Sequence, residues 1–284
     1  MSLIPNLGQA WYEFRKNKAA LLGLAIVIAV VLGALLAPLI APYPQHASKY
    51  TSFREAHLRP SASYLLGTDR AGRDVLSRIL FGYRISLQLA AIVLGLAVPV
   101  GIVLGLVAGY FGGWVDTLIM RITDVFLALP PLVAAMAILS TRSAFNLVNA
   151  TFAIAAVWWT WHARIVRSVV SSTKTEEFVQ ASRVLGASHF RVMFFEILPN
   201  CTSTILVKTT LDIGFVILIG AGLSFLGLGV QPPTPDLGTM ISMESRFLPA
   251  VWWSSVFPGL AILLVLLGFN LVGDGLRDAL GVEV

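Results

Sequence analysis

The feature that most restricts the fold is a run of 23 residues, Ala19 to Ala41, without a charged side chain. A helix of this length rises about 34 Å, which is enough to cross the hydrocarbon core of a bilayer. A cleaved signal peptide has a shorter apolar region and a cleavage site of the A-x-A type. We therefore interpret the run as an uncleaved first transmembrane helix.

The composition extends this interpretation to the whole chain. Charged residues are 12% of the 284 residues and hydrophobic residues are 57%, whereas about a quarter of the residues in a soluble domain are charged. The single cysteine, Cys201, excludes a disulfide scaffold, and the abundant aliphatic residues exclude disorder. The net charge of +5 suits an anionic membrane surface better than nucleic acid. The sequence thus predicts an all-α, polytopic membrane protein.

Apolar segments predict six transmembrane helices and no soluble domain. After the first, the segments are Ile85–Gly109, Trp114–Leu139, Phe145–Trp161, Ile205–Leu226 and Val251–Val272. Gly112-Gly113 should separate the second helix from the third, and Pro130-Pro131 should kink the third.

Two polar segments flank the first two spans. Residues 1–18 predict either a short helix on the membrane surface, with Leu7, Trp11 and Phe14 on one face, or a polar tail. Residues 69–83 predict an amphipathic helix in which Asp69–Arg73 and Asp74–Arg78 are i,i+4 pairs.

The charge distribution leaves the orientation nearly undecided. With both termini inside, ten Lys and Arg residues lie on the inner segments and nine on the outer ones, so the positive-inside rule does not settle the topology. Arg15, Lys16 and Lys18, which flank the first span, favour an N-terminus inside.

The sequence lacks the motifs of an enzyme. It contains no H-E-x-x-H, no G-x-x-x-x-G-K-[ST] phosphate loop, no G-x-S-x-G elbow and no Cys/His cluster at metal-ligand spacing. We therefore expect neither catalysis nor bound ATP or metal in this chain, and any driven transport must draw on a partner or an ion gradient.

The most informative polar segment lies between the fourth and fifth spans, in residues 162–200. Two amphipathic stripes flank Gly186 and precede Pro199; they are formed by Phe178, Ala181, Ser182 and Leu185, and by Phe190, Met193, Phe194 and Ile197. This pattern predicts two short helices, which we call the knob (residues 178–199). The knob either docks into a groove of another protein or packs on its own bundle.

Two features inside the predicted spans remain open to two interpretations. Gly101, Gly105 and Gly109 recur every four residues, as in closely packed helices or in a hinge. Lys208 and Asp212 lie one turn apart at membrane depth, where ionisable groups are costly and face the bundle interior or water. They form either a structural pair or part of a transport path.

The knob carries a family resemblance. Gln180-Ala181-Ser182, Gly186 and Leu198-Pro199 resemble the "E-A-A, three residues, G, nine residues, I-x-L-P" loop of permeases from binding-protein-dependent ABC importers, with Gln180 in place of the Glu and Glu196 in place of the Ile. Four longer stretches resemble the second permease subunit of dipeptide, oligopeptide and nickel importers. They are Leu66–Arg78 (with Gly67, Thr68, Asp69, Gly72, Arg73 and Asp74), Ala108–Asp116, Leu223–Pro233 and Gly273–Asp278.

The resemblance implies the organisation of the chain. It implies an N-terminal region (residues 1–83), a MetI-like type I importer permease domain of five helices (residues 84–274) with a cytoplasmic coupling loop (residues 162–202), and a tail (residues 275–284). It also places both termini in the cytoplasm of a prokaryote and the chain in the inner membrane. The residues implied to couple to the ATPases are Gln180, Ala181, Ser182, Gly186, Phe190, Leu198 and Pro199.

The resemblance also implies function and partners. These are a second permease subunit, two ATPase subunits that hold ATP and Mg²⁺, and an extracytoplasmic solute-binding protein, in a complex that moves a solute by alternating access. Peptides are the expected solute; nickel, glutathione, opines and oligosaccharides are alternatives. A secondary transporter with Lys208–Asp212 as an ion relay is the rival from another class, but such transporters commonly show inverted repeats and the sequence shows none.

Overall fold

A computed structural model describes residues 7–142 and 144–282. These residues form twelve α-helices and no strand. The helices are α1 (Leu7–Lys16), α2 (Lys18–Leu35), α3 (Ala37–Ile40), α4 (Val75–Phe111), α5 (Gly113–Leu127), α6 (Pro131–Ser140), α7 (Leu147–Thr173), α8 (Glu177–Val184), α9 (His189–Arg191), α10 (Leu198–Phe225), α11 (Leu237–Glu244) and α12 (Trp253–Leu280). A π-helical turn, Val192–Ile197, joins α9 to α10.

Four helical segments of the described chain are long and apolar enough to cross a membrane: α2, α4, α9 with α10, and α12. Helices α5 and α6 make a fifth if their bent pair is one span. The bend between them is 90°. The predicted break at Pro130-Pro131 is therefore confirmed, and it turns the chain through a right angle. The predicted fourth span lies in α7, which has 27 residues but is made less apolar by His162, Arg164 and Arg167.

Helix α4 packs most extensively against α7, along the glycines that the sequence singled out. A Cβ on Gly101 would lie 2.6 Å from the Trp159 carbonyl oxygen, and one on Gly105 would lie 2.6 Å from that of Ala163. The repeat is therefore confirmed as a close-packing surface.

The N-terminal segment forms a separate short helix. Asn17 accepts hydrogen bonds from the amides of Ala19 and Ala20 and so caps α2, which leaves α1 as an independent element. Phe14 is buried against the C-terminal half of α12, whereas Trp11 is exposed. Residues 1–6 and the side chain of Leu7 lie outside the described residues, as do residues 283–284 of the predicted tail.

Two loops close one end of the bundle. We call residues 42–74 and 227–252 the loop cap. The Arg70 amide donates to Glu244 Oε1 (3.2 Å), and the Trp253 indole donates to the Thr68 carbonyl (3.3 Å). These bonds tie the first loop to the second and to the start of α12.

The helix predicted to begin at Asp69 begins instead at Val75. Asp69 Oδ1 accepts hydrogen bonds from the amides of Ala71 and Arg73, which closes a turn before the helix. Asp74 then caps α4 by accepting from the Ser77 amide (2.8 Å). The pair Asp69–Arg73 exists at 2.7 Å, but Arg78 lies 3.6 Å from Asp69 rather than pairing with Asp74. A carboxylate that accepts backbone amides at this turn stabilises the fold more than a carboxylate in an ion pair on a helix surface.

His46 supports this turn from beneath. Its side chain is buried, and its Nδ1 accepts the Asp74 amide at 2.9 Å. The ring stacks between Tyr43 and Tyr50, with centroid separations of 4.9 and 4.0 Å. Burial lowers the pKa of His46 below its ordinary value of 6.5, against the opposing field of Asp74. A neutral imidazole is therefore part of the folded cap.

The glycine surface yields a first prediction. Gly105→Ala should destabilise the protein by about 1–3 kcal/mol, because the new methyl overpacks the contact between α4 and α7. Gly95→Ala is the matched control, since it makes the same change on the same helix where a Cβ meets nothing within 4 Å. The measurement is the thermal midpoint of the purified protein in detergent. Equal midpoints for the two variants would contradict the packing role of Gly105.

The buried histidine yields a second. A lowered pKa in the folded state means that the unfolded chain binds more protons below pH 6.5, so the stability contributed by His46 is complete above that pH and is lost as the pH falls. The protection factors of the loop-cap amides, which correct for the intrinsic slowing of amide exchange in acid, should therefore fall on acidification. His46→Asn retains an acceptor near the Nδ1 position and should flatten this pH dependence; an unchanged slope would show that other groups cause it.

Candidate functional site

The predicted coupling loop of residues 162–202, which contains the knob, is mostly helical. Helix α7 continues to Thr173, eleven residues beyond His162, so the predicted loop of residues 162–202 is helical at both ends. Only residues 174–176 and 185–188 break the helices. The second predicted short helix is the start of a continuous helical segment that runs through α10.

Gly186 ends α8 in a conformation that suits glycine. Its φ is +84°, and the Ala187 amide donates to the Ser182 carbonyl (3.1 Å) as in a Schellman cap. No atom lies within 4 Å of the position that a Cβ would occupy. The restriction at Gly186 is therefore one of backbone conformation and not of space.

Part of the knob packs on its own bundle, and part of it leaves apolar side chains exposed. Met193 and Ile197 are buried in a small core with Val179, beneath α8. In contrast, Leu185 is 87% exposed and Phe190 is 61% exposed. Apolar side chains this accessible on one compact element are typical of a protein-binding surface.

Hydrogen bonds fasten the knob to the end of α4. The Lys174 ammonium donates to the Gly109 carbonyl (2.7 Å), and the Tyr110 hydroxyl lies 2.8 Å from His189 Nδ1. The Arg183 guanidinium lies over the Tyr110 ring, 4.6 Å from its centroid. Tyr110 belongs to one of the four longer stretches, but nothing in its local pattern predicted contact with the knob.

The two residues that depart from the family pattern of the loop, Gln180 and Glu196, each make a hydrogen bond within the knob region. Glu196 Oε1 accepts the Ser182 hydroxyl at 2.5 Å, which links α8 to the π-helical turn. The exposed Gln180 donates to the Lys174 carbonyl at 3.0 Å. Of the remaining predicted coupling residues, Ala181 and Pro199 are exposed and Leu198 is half-buried. The prediction that these residues contact an ATPase stays a prediction.

A second candidate site contains the charges within the membrane-spanning region. Lys208 and Asp212 form an ion pair, with side-chain exposures of 19% and 1%. His162 on α7, fully buried, places its Nε2 3.7 Å from the other Asp212 oxygen and 3.4 Å from the Thr209 hydroxyl. His162 was missed from sequence because it lies 50 residues away and on another helix.

Lys208 also reaches an open pocket of about 520 Å³, whose other lining residues are Leu127, Trp161, Arg164, Ile165 and Ser168. Arg164 is itself paired with Asp124, and both side chains are about half exposed. Thus Asp212 is buried, and the Lys208 ammonium with which it pairs lines the pocket. The two interpretations of the pair, structural and path-lining, are compatible in this geometry.

The remaining predicted positions build the loop cap. Gly67, Thr68, Asp69, Gly72, Arg73 and Asp74 occupy the turn before α4, and Thr68, Asp69, Arg73 and Asp74 are buried. The turn and the knob lie at opposite ends of α4, whose 37 residues span about 55 Å. Within the described residues, no group of three or more His, Cys, Asp or Glu side chains could hold a metal ion.

Comparisons with known proteins cover both ends of the chain. Residues 101–282 match the family described as binding-protein-dependent transport system inner membrane component. Residues 6–60 match the N-terminal TM domain of oligopeptide transport permease C.

Several curated relatives align over nearly the whole chain. The dipeptide transport system permease protein DppC of Haemophilus influenzae is 43% identical, over 96% of this chain and 94% of the relative. The protein of the same name in Escherichia coli K12 is 44% identical, over 96% and 92%. The glutathione transport system permease protein GsiD of Pectobacterium atrosepticum is 38% identical, over 95% and 89%.

The buried ion pair gives the third prediction. Lys208→Met and Asp212→Leu should each reduce the amount of folded, assembled protein, and Lys208→Met the more strongly, because it leaves the buried Asp212 carboxylate uncompensated at a cost of about 3–5 kcal/mol. The double variant should restore assembly. Size-exclusion chromatography of detergent extracts measures assembly, and solute uptake is measured on the same membranes.

The single variants separate the two interpretations of the pair. Full assembly of both would refute a structural pair. The double variant could also assemble normally but show poor uptake or an altered solute preference. That result would assign Lys208 to the transport path as well as to the structural pair.

Proposed function

The chain belongs to the family of binding-protein-dependent transport system inner membrane components, and from this premise we propose that it is the second permease subunit of an ATP-driven importer of di- or oligopeptides. The relatives named for dipeptides and for glutathione support a peptide-like solute. The observation that carries the coupling role is the knob, which presents exposed Leu185 and Phe190 beyond the end of the helix bundle.

The coupling mechanism follows from the connections of the knob. Two partner ATPases hold ATP and Mg²⁺, and this chain contains no G-x-x-x-x-G-K-[ST] phosphate loop. When the ATPases close, their groove pushes on Leu185 and Phe190. The movement passes to α4 through Lys174 and Tyr110, and to α10 through the π-helical turn. Small shifts between packed helices then bias the bundle between inward-open and outward-open states.

The polar residues of α5 and α7 support a second permease subunit as a partner. Arg121 and Asp124 are exposed on α5, among apolar residues of a candidate span. Charged side chains at membrane depth face protein or a water-filled cavity rather than lipid. We place this face, with the pocket at Lys208, toward the partner permease and the solute path between the two subunits.

The proposed orientation puts the knob and both termini in the cytoplasm of a prokaryotic cell and the loop cap outside the inner membrane. Arg15, Lys16 and Lys18 support it as charges that flank the first span. A solute-binding protein then delivers its ligand to the face that the loop cap surrounds.

The fourth prediction tests coupling. Gly186→Val should abolish uptake while leaving membrane abundance unchanged, because a β-branched residue resists positive φ. Gly186→Asn is the matched control, since Asn tolerates this region and should retain most uptake. Affinity purification of the wild-type chain should recover ATPase subunits. Absence of ATPases from the purified complex would contradict the proposed function, whereas normal uptake by Gly186→Val would contradict only the role of the turn.

The fifth prediction tests orientation. Cys201 is fully buried and gives a low background for thiol labelling. An impermeant maleimide added to spheroplasts should label Ala62→Cys, which is exposed on the loop cap, but should leave Val184→Cys on the knob unlabelled until the membranes are opened. The reverse pattern would invert the topology.

A further inference from the structure

A groove of about 560 Å³ lies between α2, α4, α10 and α12. Its lining runs from Leu35, the last residue of α2, to Thr209 and Phe269, which lie near the middle of α10 and of α12. Among the described residues that line it, only Arg84, Gln88 and Thr209 are polar, and the others are aliphatic or aromatic. The groove is therefore an apolar channel with one cation.

Arg84 enters this groove without an anionic partner. Its side chain is exposed, and within residues 7–142 and 144–282 it makes neither a hydrogen bond nor an ion pair. The side chain of Gln88, one helical turn deeper on α4, is also exposed and makes no hydrogen bond in that part of the chain. A guanidinium offers five N–H donors, so these donors are available to a molecule that occupies the groove.

The position of Arg84 along α4 puts it within the depth of an apolar span. A Cβ on Gly33 would lie 3.3 Å from Leu80 Cδ2, so Leu80 is level with the last turn of α2, which ends at Leu35. Arg84 follows Leu80 by one turn toward the middle of α4. A charge at this depth is costly unless it reaches protein, water or the headgroups, and a long side chain can extend from here to the headgroups.

The length of the groove matches one acyl chain. Arg84 and Leu94 both line it, and between them α4 rises about 15 Å, which is half of the hydrocarbon thickness of a bilayer. Thr209 and Phe269, at the other end of the groove, lie on the middle turns of their helices. A chain that starts at a headgroup beside Arg84 and follows the groove therefore ends near the midplane.

The rim of the groove is aliphatic, as in a surface that meets lipid. Leu35 is 65% exposed on α2 and Ile92 is 48% exposed on α4, and a Cβ on Gly95 would meet no atom within 4 Å. Thr209 lines this groove, whereas Lys208 lines the pocket that we place toward the solute path. Adjacent residues of a helix point about 100° apart, so the groove and that pocket open in different directions.

We propose that this groove binds a phospholipid, with the phosphate at Arg84, an ester group at Gln88 and one acyl chain laid along the groove as far as Phe269. A guanidinium suits a phosphate because its planar pair of donors can bond two oxygens. Basic pockets between membrane helices bind headgroups on the same electrostatic grounds. In the orientation proposed above, the lipid belongs to the outer leaflet of the inner membrane. The site does not rest on the identity of the solute.

The test uses the transport complex purified through this chain and stripped of phospholipid in dodecyl maltoside. The probe is a phosphatidylglycerol whose acyl chain carries a diazirine near its end. After illumination, mass spectrometry should find the probe on peptides that contain Ile213 or Phe269, which line the deep part of the groove. Arg84→Gln should raise the probe concentration for half-maximal labelling about tenfold, because the charge-assisted hydrogen bonds to phosphate are lost. Arg84→Lys should raise it less.

Two further variants complete the design. Arg142→Gln is the matched control, because it removes the same charge from an exposed position on the α6–α7 connection, outside the groove. Ala91→Trp fills the groove from an exposed position without a change of charge. It should lower the labelling of the same peptides at least as much as Arg84→Gln. An unchanged thermal midpoint shows that each variant is folded.

Competition identifies the occupant. Unlabelled dioleoyl phosphatidylglycerol should displace the probe, and the same concentration of inorganic phosphate should not. Equal labelling of the wild type, Arg84→Gln and Arg142→Gln would overturn the site, as would labelling of the wild type only outside the groove, which is the result expected if another subunit covers it. Displacement by a dipeptide but not by the unlabelled lipid would assign Arg84 to the solute and overturn the proposal.

Discussion

The rest of the structure depends on the close approach of α4 to α7. Lipid gives helices no hydrophobic reason to associate, so they must gain van der Waals contact by bringing their backbones together. Gly101, Gly105 and Gly109 make this possible along one face of α4. With α7 seated there, His162 comes beside α10, and the end of α7 turns back beneath Tyr110 to start the knob. The positions of both candidate sites thus depend on the close packing that these three glycines allow.

Carboxylates organise the other end of the bundle. In the loop cap they bind amides, so their contribution comes from satisfying buried donors rather than from surface ion pairing. Because the fold uses its acids internally, the surface retains only the bases. The charge of the exposed cap is therefore a result of how the cap folds.

Much of this architecture could be predicted from sequence, and the failures have physical causes. The spans, the Gly112-Gly113 break and the bend at Pro130-Pro131 follow from apolar length and backbone chemistry, which are local properties. The start of α4 was misplaced by six residues because Asp69 and Asp74 have helix-like spacing with Arg73 and Arg78, yet their carboxylates also accept backbone amides in the turn and cap before the helix. The knob was predicted as a unit from Gly186 and its stripes. Its fastening through Tyr110 and Lys174, and the place of His162 beside Asp212, are contacts between distant segments that no local pattern contains.

The π-helical turn at Val192–Ile197 determines which way the knob faces. A π turn holds one residue more than the α-helical turn that it replaces, and one residue of helix corresponds to a rotation of about 100°. The segment that carries Phe190 is therefore rotated by that amount relative to a continuous α-helix leading into α10. The π-helical turn thus sets the rotation of the exposed knob surface about the helix axis relative to α10, the helix that carries Lys208. Relatives with an ordinary α-helix here would need a different residue at position 190 to present the same face.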